Sequence, residues 1–261
     1  MTEWDADSYS HLSDLQRAMA DEVLALLVLK GDEQVLDIGC GDGKITALIA
    51  SRAPLGGVVG VDPSHDMIAF ASSHFGRTLA NLRFEMADAR TLPFKDQFDL
   101  VVSFNALHWV PGQDAVLRSI RSAMKSSGKA QLRLVTAGKR KSLESVVEEV
   151  RKLPRWSAHF PDFDDPYLRL TADEYTTAAE RNGLHALRVH TEAKTWDFQS
   201  RQAFFDFCSV GLIAWTNRVR ETERPDFVND VLDRYQEIAT DHADEGSIFK
   251  FYQTDITLIP T

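Results

Sequence analysis

Short apolar segments alternate with helical segments over the first half of the chain, and this alternation constrains the fold more than any other feature. Helical patterns near 45–52, 67–74 and 113–124 separate the apolar segments. Strands that are apolar on both faces and joined by helices form a parallel sheet with helices on both sides, so the pattern predicts an α/β fold. The five segments are "QVLDI" (34–38), "GVVGVD" (57–62), "LRFEMAD" (82–88), "FDLVVSF" (98–104) and "AQLRLV" (130–135).

The regions on either side of these segments predict further helices and two further strands. "SDLQRAMADEVLALL" has apolar residues at helical spacing and Ser13 as its predicted N-cap. "ADEYTTAAERNG" predicts a helix that ends just before Gly183. The segments "LHALRVHTEA" (184–193) and "FKFYQTDITLI" (249–259) alternate like strands, and we expect them to pair antiparallel at the sheet edge.

Length and charge limit the organisation of the chain and its partners. With 261 residues and 44% hydrophobic content, we expect a single domain over 1–261, with cap elements from about 1–28, 137–171 and 196–246. A formal net charge of −10 disfavours nucleic acid and anionic membranes as partners. "MTEWDADSYS" lacks a basic leader pattern and "VLALLVL" is too short to span a bilayer, so we expect a cytoplasmic monomer. Two cysteines without metal-ligand spacing predict no metal site.

The glycine-rich segment "VLDIGCGDG" (35–43) follows the first predicted strand and excludes two common cofactor classes. The dinucleotide pattern G-x-G-x-x-G fails, because Lys44 takes the place of the third glycine counted from Gly39, and Thr46 takes it counted from Gly41. The phosphate-binding P-loop fails as well, since Ile45 follows Lys44. What remains is a tight turn that a ligand can approach closely and a helix N-terminus that suits a carboxylate.

Three aspartates at or near the carboxyl ends of predicted strands narrow the ligand further. Asp37 suits an ammonium group, and Asp62, about twenty residues after the loop, suits the hydroxyls of a ribose. Asp88 ends a third strand beside an adenine-sized slot whose wall includes Met67. S-adenosylmethionine carries all of these groups. The alternatives left open are that Asp37 caps a helix, that Asp62 is a structural aspartate of the "DPS" turn and that Asp88 is a solvated loop acid.

As an ordered set, "VLDIGCGDG", "GVDPSHDMI", "ADARTLPF" and "FDLVVSFNALHWV" resemble the class I S-adenosylmethionine-dependent methyltransferases over roughly the first 135 residues. More narrowly, "WDADSYSHLSDLQRAMADEVL" with "SFNALHWV" is similar to the group that contains trans-aconitate and juvenile hormone acid methyltransferases, which esterify carboxylates of small molecules. The resemblance implies a Rossmann-like seven-stranded methyltransferase sheet, its last strand antiparallel, with helical cap insertions.

The same resemblance implies a role for individual residues. In the acceptor site, Gln16 and Trp109 would face the reaction centre, and Tyr9 would be a lid residue. S-adenosylmethionine would be the cofactor. Its binding residues would be Asp37, Gly39 and Gly41 at the methionine moiety, Asp62 at the ribose, Pro63, Met67, Asp88 and Ala89 at the adenine, and Asn105 near the sulfonium.

The acceptor chemistry decides which further groups the site needs. A carboxylate is ionised at pH 7 and needs no general base, only hydrogen-bond donors that hold it. Arg218 and Arg220 beside Trp215 in "AWTNRVRETERP" would add an anion clamp for a small-molecule acid, although a solvated helix face explains the same charges. Two alternatives stay open: methylation of a malonyl-carrier protein, and N- or C-methylation of a small metabolite with His108 as base.

Overall fold

The computed structural model describes residues 14–242 and 245–261, and within the first helix it describes side chains only at Met19 and from Asp21 onward. The predicted lid residue Tyr9 and the predicted N-cap Ser13 lie outside the described residues. Gln16 is described as a backbone position in the first helix.

Seven strands form one sheet with the order β3-β2-β1-β4-β5-β7-β6. Strands β1 to β5 pair in parallel, whereas β7 is antiparallel to both β5 and β6. The predicted fold class, with its antiparallel last strand, is therefore confirmed. The strands are β1 (Gln34–Ile38), β2 (Gly57–Asp62), β3 (Leu82–Met86), β4 (Phe98–Phe104), β5 (Met124–Thr136), β6 (Leu184–Asp197) and β7 (Ile248–Pro260).

Helices connect the strands and build the region beyond β5. Four three-residue 3₁₀ turns, at 89–91, 107–109, 157–159 and 221–223, complete the helical structure of the described residues. The helices are α1 (Asp14–Leu26), α2 (Lys44–Arg52), α3 (His65–Phe75), α4 (Gln113–Ala123), α5 (Leu143–Val150), α6 (Ala172–Arg181), α7 (Arg201–Gly211), α8 (Ile213–Thr216) and α9 (Arg224–Ala239).

Both faces of the parallel strands are buried, as their continuous apolar sequences predict. Successive side chains of a strand point to opposite faces. Accordingly, Leu36 belongs to an apolar cluster with Leu117 of α4, while Val35 belongs to a second cluster with Ile49 of α2. These two clusters fix the helices against the sheet and so hold the carboxyl ends of the strands in place.

A third apolar cluster lies outside the parallel part of the sheet. It joins α5, α7, α8 and α9 to the first half of β7, with Val147, Phe204, Trp215, Phe227 and Phe251 among its buried members. The segments between β5 and α6 and between β6 and β7 therefore pack on each other rather than forming two separate additions.

Three strand boundaries differ from the sequence expectation. Strand β3 ends at Met86 because the Asp88 side chain accepts a hydrogen bond from the Arg90 amide and starts a 3₁₀ turn. Strand β5 begins at Met124, six residues before the apolar run, with a register shift against β4. Strand β6 continues to Asp197 because it pairs with β7 along its whole length, although most of its side chains are exposed.

Candidate functional site

A cavity of about 820 Å³ lies at the carboxyl ends of β1, β2 and β4, where α/β sheets bind ligands. The loop after α5 and the helix α8 complete its wall. The structure thus brings together most of the predicted site residues. Those that line the cavity are Gly39, Gly41, Asp62, Pro63, Met67, Asp88, Ala89, Asn105, Trp109 and Arg218.

The glycine loop after β1 has two positions with different requirements. Gly39 has a φ of 74°, and a Cβ there would lie 2.2 Å from the Cβ of Ala106. Gly41 has a φ of 52°, but a Cβ there would meet no atom within 4 Å. Gly39 is therefore needed for close packing against the β4 exit, whereas Gly41 borders open space in the cavity.

Asp62 at the end of β2 holds this loop in position. Its Oδ2 accepts a hydrogen bond from the Gly41 amide at 3.1 Å, and its Oδ1 accepts one from the Ser64 amide at 2.9 Å. Ser64 in turn caps α3 by accepting from the Met67 amide. The carboxylate is thus oriented by backbone donors at the cavity wall.

Asp37 lies one layer behind the glycine loop. It is buried, its Oδ2 accepts a hydrogen bond from Thr46 Oγ1 at 2.6 Å, and it is not among the residues that line the cavity. Burial, helped by the nearby charge of Asp62, raises the pKa of Asp37 to about 7 against the opposing effect of the Thr46 hydrogen bond. This carboxyl group therefore titrates near neutrality.

Asp88 is paired within its own turn. Arg90 donates to it through its backbone amide at 2.9 Å and through Nε and Nη2 of its guanidinium at 2.9 and 2.5 Å. The hydrogen bonds from Arg90 lower the pKa of Asp88 despite partial burial, so the carboxylate is ionised at neutral pH. Arg90 also lines the cavity and was missed by sequence reasoning.

Asn105 follows β4 in the left-handed region, with a φ of 58°. Its backbone amide donates to the Arg133 carbonyl at 2.9 Å, which holds the turn. Its Oδ1 accepts from Gln253 Nε2 at 2.9 Å, and its Nδ2 points to Met19 Sδ at 3.6 Å. The carboxamide at the cavity wall is therefore held by β7 on one side and contacts α1 on the other.

Aromatic rings pack around Trp109, which lines the cavity. The ring centroid of Trp109 lies 4.9 Å from that of Tyr167 and 6.0 Å from that of Trp215. The Arg218 guanidinium lies 5.6 Å from the centroid of Phe163, and both residues line the cavity. Trp215 does not line it: this residue is fully buried, and its indole N–H donates to Glu148 at 2.8 Å. The structure thus places Trp215 one layer behind the predicted substrate site.

His108 lies next to Trp109 in sequence but points away from the cavity. It is buried against Tyr167, and its Nδ1 accepts a hydrogen bond from the Val135 amide at 3.3 Å. Burial lowers the pKa of His108 to about 3. Its imidazole is therefore neutral at physiological pH, and the nitrogen that lacks a proton already has a donor.

Comparison with the sequences of known proteins identifies the family of the chain that forms this cavity. Residues 35–128 match a family described as a methyltransferase domain. The chain is 30% identical over 191 residues to malonyl-[acyl-carrier protein] O-methyltransferase from Geobacter sulfurreducens, a match that covers 72% of this chain and 69% of that protein. The chain belongs to the class I S-adenosylmethionine-dependent methyltransferases.

A second relative and a solved structure match this methyltransferase over most of its length. It is 28% identical over 244 residues to trans-aconitate 2-methyltransferase from Escherichia coli, covering 91% of this chain and 89% of that protein. A Bacillus halodurans protein solved as a candidate methyltransferase shares its fold with a TM-score of 0.65 at 20% identity, covering 93% and 99% of the two chains. The resemblance identified from the sequence motifs is thus confirmed.

Sequence reasoning missed several residues of the methyltransferase cavity and its supports, namely Met19, Arg90, Phe163, Asn217 and Gln253. For Gln253 a signal was present, because the alternation of β7 puts a glutamine on the same face as Phe251, which packs in the third cluster. Phe163 carried no such signal, because no periodic element surrounds it.

Within residues 14–242 and 245–261 of the methyltransferase, no helix combines the length and the apolar character that crossing a bilayer requires. The same residues contain no group of three His, Cys, Asp or Glu side chains placed to hold a metal ion.

Proposed function

We propose that this methyltransferase transfers the methyl group of S-adenosylmethionine to a carboxylate oxygen of a small-molecule acid. The observation that carries the proposal is that His108 cannot act as a base. Its unprotonated Nδ1 already accepts a hydrogen bond from the Val135 amide, and its pKa is about 3. An alcohol, a phenol or an ammonium group must lose a proton before it attacks, whereas a carboxylate is already ionised. His108 is therefore no base for such an acceptor, and a carboxylate needs none.

The residues at one end of the cavity fit the proposed cofactor. The open space over Gly41 admits a ligand against the backbone, and Asp62 is oriented beside it to accept from hydroxyl groups. Asp88 remains ionised at the end of β3, where it would accept from an exocyclic amine. When bound, S-adenosylmethionine supplies an electrophilic methyl group, and the chain's part is to hold donor and acceptor in line.

The other end of the cavity supports an anionic acceptor. Trp109, Asn105 and Arg218 line it, and their side chains carry an indole N–H, a carboxamide and a guanidinium, the last of which lies over Phe163. Charge-assisted hydrogen bonds from such groups orient a carboxylate. Two relatives named above are a trans-aconitate methyltransferase and a malonyl-[acyl-carrier protein] O-methyltransferase, which accords with a carboxyl acceptor.

The test is a methyl-transfer screen with labelled S-adenosylmethionine over small acids, carrier-linked acids, amines and phenols. A carboxyl acceptor gives a product that base hydrolyses, because it is a methyl ester. With S-adenosylmethionine saturating, so that the titration of Asp37 does not limit cofactor binding, the rate should be nearly flat from about pH 6.5 to 8.5, since the acceptor carboxylate is ionised throughout. A base-stable product, or a rate that rises through a histidine pKa, would contradict the proposal.

Calorimetry with S-adenosylmethionine tests the cofactor assignment separately. Asp62→Asn should weaken binding by about 2 kcal/mol, because a charged hydrogen-bond acceptor becomes neutral. Asp173→Asn, an exposed aspartate in α6, is the matched control and should leave affinity unchanged. Equal affinities of all three proteins would remove Asp62 from the cofactor site.

Trp109→Phe tests the acceptor site. This change keeps an aromatic ring but removes the indole N–H, so turnover of the acid should fall while cofactor affinity stays within a few-fold. Unchanged turnover would show that the indole does not hold the acceptor.

A further inference from the structure

The carbonyl of Leu134, the side chain of Gln253 and the side chain of Asn105 form a chain of hydrogen bonds that we name the amide relay. Gln253 Nε2 donates to the Leu134 carbonyl at 3.0 Å and to Asn105 Oδ1 at 2.9 Å. Gln253 is only 2% exposed. The relay therefore connects the interior of the sheet to the cavity wall.

The relay fixes which end of each amide faces which way. A backbone carbonyl only accepts, so the atom of Gln253 that faces Leu134 must be the nitrogen. The second hydrogen of that nitrogen then faces Asn105, so the facing atom of Asn105 must be its oxygen. The reverse orientation of Gln253 would place two oxygens 3.0 Å apart. This constraint holds although Gln253 Oε1 itself has no hydrogen-bond partner among the described residues.

Because Gln253 holds the oxygen of the Asn105 carboxamide, the orientation of the Asn105 Nδ2 atom is also determined. This nitrogen contacts Met19 Sδ at 3.6 Å, and a thioether sulfur is a weak acceptor. Asn105 lines the cavity together with Trp109. The Nδ2 of this cavity residue thus has a weak acceptor, Met19 Sδ, which the carboxylate of a bound acid would replace.

We propose that Gln253 is a positioning residue that fixes the Asn105 carboxamide so that its N–H group is available to the carboxylate of the acceptor. The inference rests on the proposed function, and it adds a specificity device to it. A carboxamide that can rotate offers either its oxygen or its nitrogen, and so accepts cationic and anionic groups alike. The amide relay removes that freedom and favours an anionic acceptor.

The first experiment needs no acceptor. Nitrogen-15 spectra of the side-chain amides identify the Asn105 NH₂ pair as the one lost in Asn105→Gly, a variant chosen because glycine tolerates the positive φ at this position. Gln253→Met, which is unbranched but cannot donate, should shift this pair. The control is Asn81→Leu, because the Asn81 amide also donates to two backbone carbonyls, those of Ala50 and Ala53. An unmoved Asn105 pair in Gln253→Met would overturn the proposal.

The second experiment is a double-mutant cycle with trans-aconitate, or with the acid that the screen selects, at a temperature where circular dichroism shows all variants folded. Gln253→Met and Asn105→Gly should each raise the KM for the acid about tenfold, as expected for a lost hydrogen bond to a charged group, and Gln253→Met should leave the KM for S-adenosylmethionine unchanged. Because Gln253 acts through Asn105, the double variant should be no worse than Asn105→Gly alone. Asn81→Leu should change neither constant.

The outcomes separate the two proposals. Multiplying effects in the double variant, or an equal rise in the KM for S-adenosylmethionine, would show that Gln253 has only a structural role. A wild-type protein that methylates no carboxylate would refute the proposed function, while the amide spectra would still decide whether the relay orients Asn105.

Discussion

Arg133 Nη1 donates a hydrogen bond to Glu22 Oε2 at 2.9 Å, and this ion pair ties α1 to β5. Arg133 also forms a two-point pair with Asp255 of β7, and Lys194 of β6 approaches Glu22 as well. Met19, which contacts Asn105, lies about one helical turn before Glu22. The ion-pair cluster therefore holds the part of α1 that contacts the cavity residue Asn105.

Glu22→Gln should lower the free energy of unfolding by about 0.5–1 kcal/mol in urea titrations, a small value because the Glu22 side chain is 44% exposed and screened by solvent. The matched control is Glu85→Gln, whose partner Arg83 is more exposed and which should cost less. Partial burial raises the pKa of Glu22, but hydrogen bonds from Lys194 and Arg133 outweigh it and bring the pKa below the ordinary value of 4.5.

The sign of this pKa shift sets the pH dependence of the Glu22→Gln effect. A lowered pKa means that the ionised form is stabilised by folding, so the contribution is fully present above pH 4.5 and is lost as pH falls through the folded pKa. The two urea curves should converge in acid. A difference that persists or grows there would contradict the assignment to this ion pair.

Asp37 should couple cofactor binding to proton release. Its pKa of about 7 means that the folded protein favours the protonated form, so Asp37 contributes stability at low pH that is lost as pH rises from 3.8 towards 7. A cofactor ammonium nearby favours the carboxylate. Calorimetry near pH 6.5 in buffers of different ionisation enthalpy should therefore detect protons released on binding of S-adenosylmethionine. The isosteric Asp37→Asn should abolish the release, and an unchanged release would exclude Asp37 as its source.

Gly39→Ala and Gly41→Ala should fail in different ways. At Gly39 the new methyl group would lie 2.2 Å from Ala106 Cβ, so the variant should lose several kcal/mol of stability by strain and overpacking. At Gly41 only the positive φ is strained, which costs about 1–2 kcal/mol, while the methyl group enters the cavity. We expect Gly41→Ala to fold and to lose at least tenfold in cofactor affinity by calorimetry. Normal affinity in Gly41→Ala would place the cofactor elsewhere.

Trp215→Phe should disturb acceptor binding although Trp215 does not line the cavity. The change removes the hydrogen bond to Glu148 and loosens the ring that packs against Trp109, so the KM for the acid should rise while cofactor affinity stays constant. The control is Trp156→Phe. Trp156 is equally buried and donates to Asp230 at 2.7 Å in the same apolar cluster, but it does not line the cavity or contact Trp109.

Both tryptophan variants should lose about 1.5–3 kcal/mol of stability, because each loses a hydrogen bond to a carboxylate. Chemical denaturation and acceptor kinetics on the same preparations check this. A KM that rises equally in Trp156→Phe would show that general loosening of the cluster, not Trp215 itself, affects the acceptor.

The sequence was sufficient for the parallel half of the sheet and for the glycine loop, because strand periodicity and turn chemistry are local. It was insufficient where side-chain direction depends on distant segments. His108 and Trp109 are neighbours in sequence but face different surroundings. The His108 ring points away from the cavity and accepts a hydrogen bond from the Val135 amide, whereas Tyr167 and Trp215 pack around the Trp109 ring. Trp215 was placed in the substrate site because no local pattern reveals that Glu148, 67 residues earlier, holds its indole.

The position of β7 between β5 and β6 has a consequence for how the methyltransferase is made. Strand β6 pairs in the sheet with β7 alone, and Asn105 meets Gln253 across 148 residues of chain. A nascent chain that has emerged as far as β6 can assemble its five parallel strands, but it leaves the edge of β5 open and β6 unpaired. During that interval the growing polypeptide exposes unpaired strand edges that favour aggregation, and the contact between Gln253 and Asn105 forms only in the late step that inserts β7.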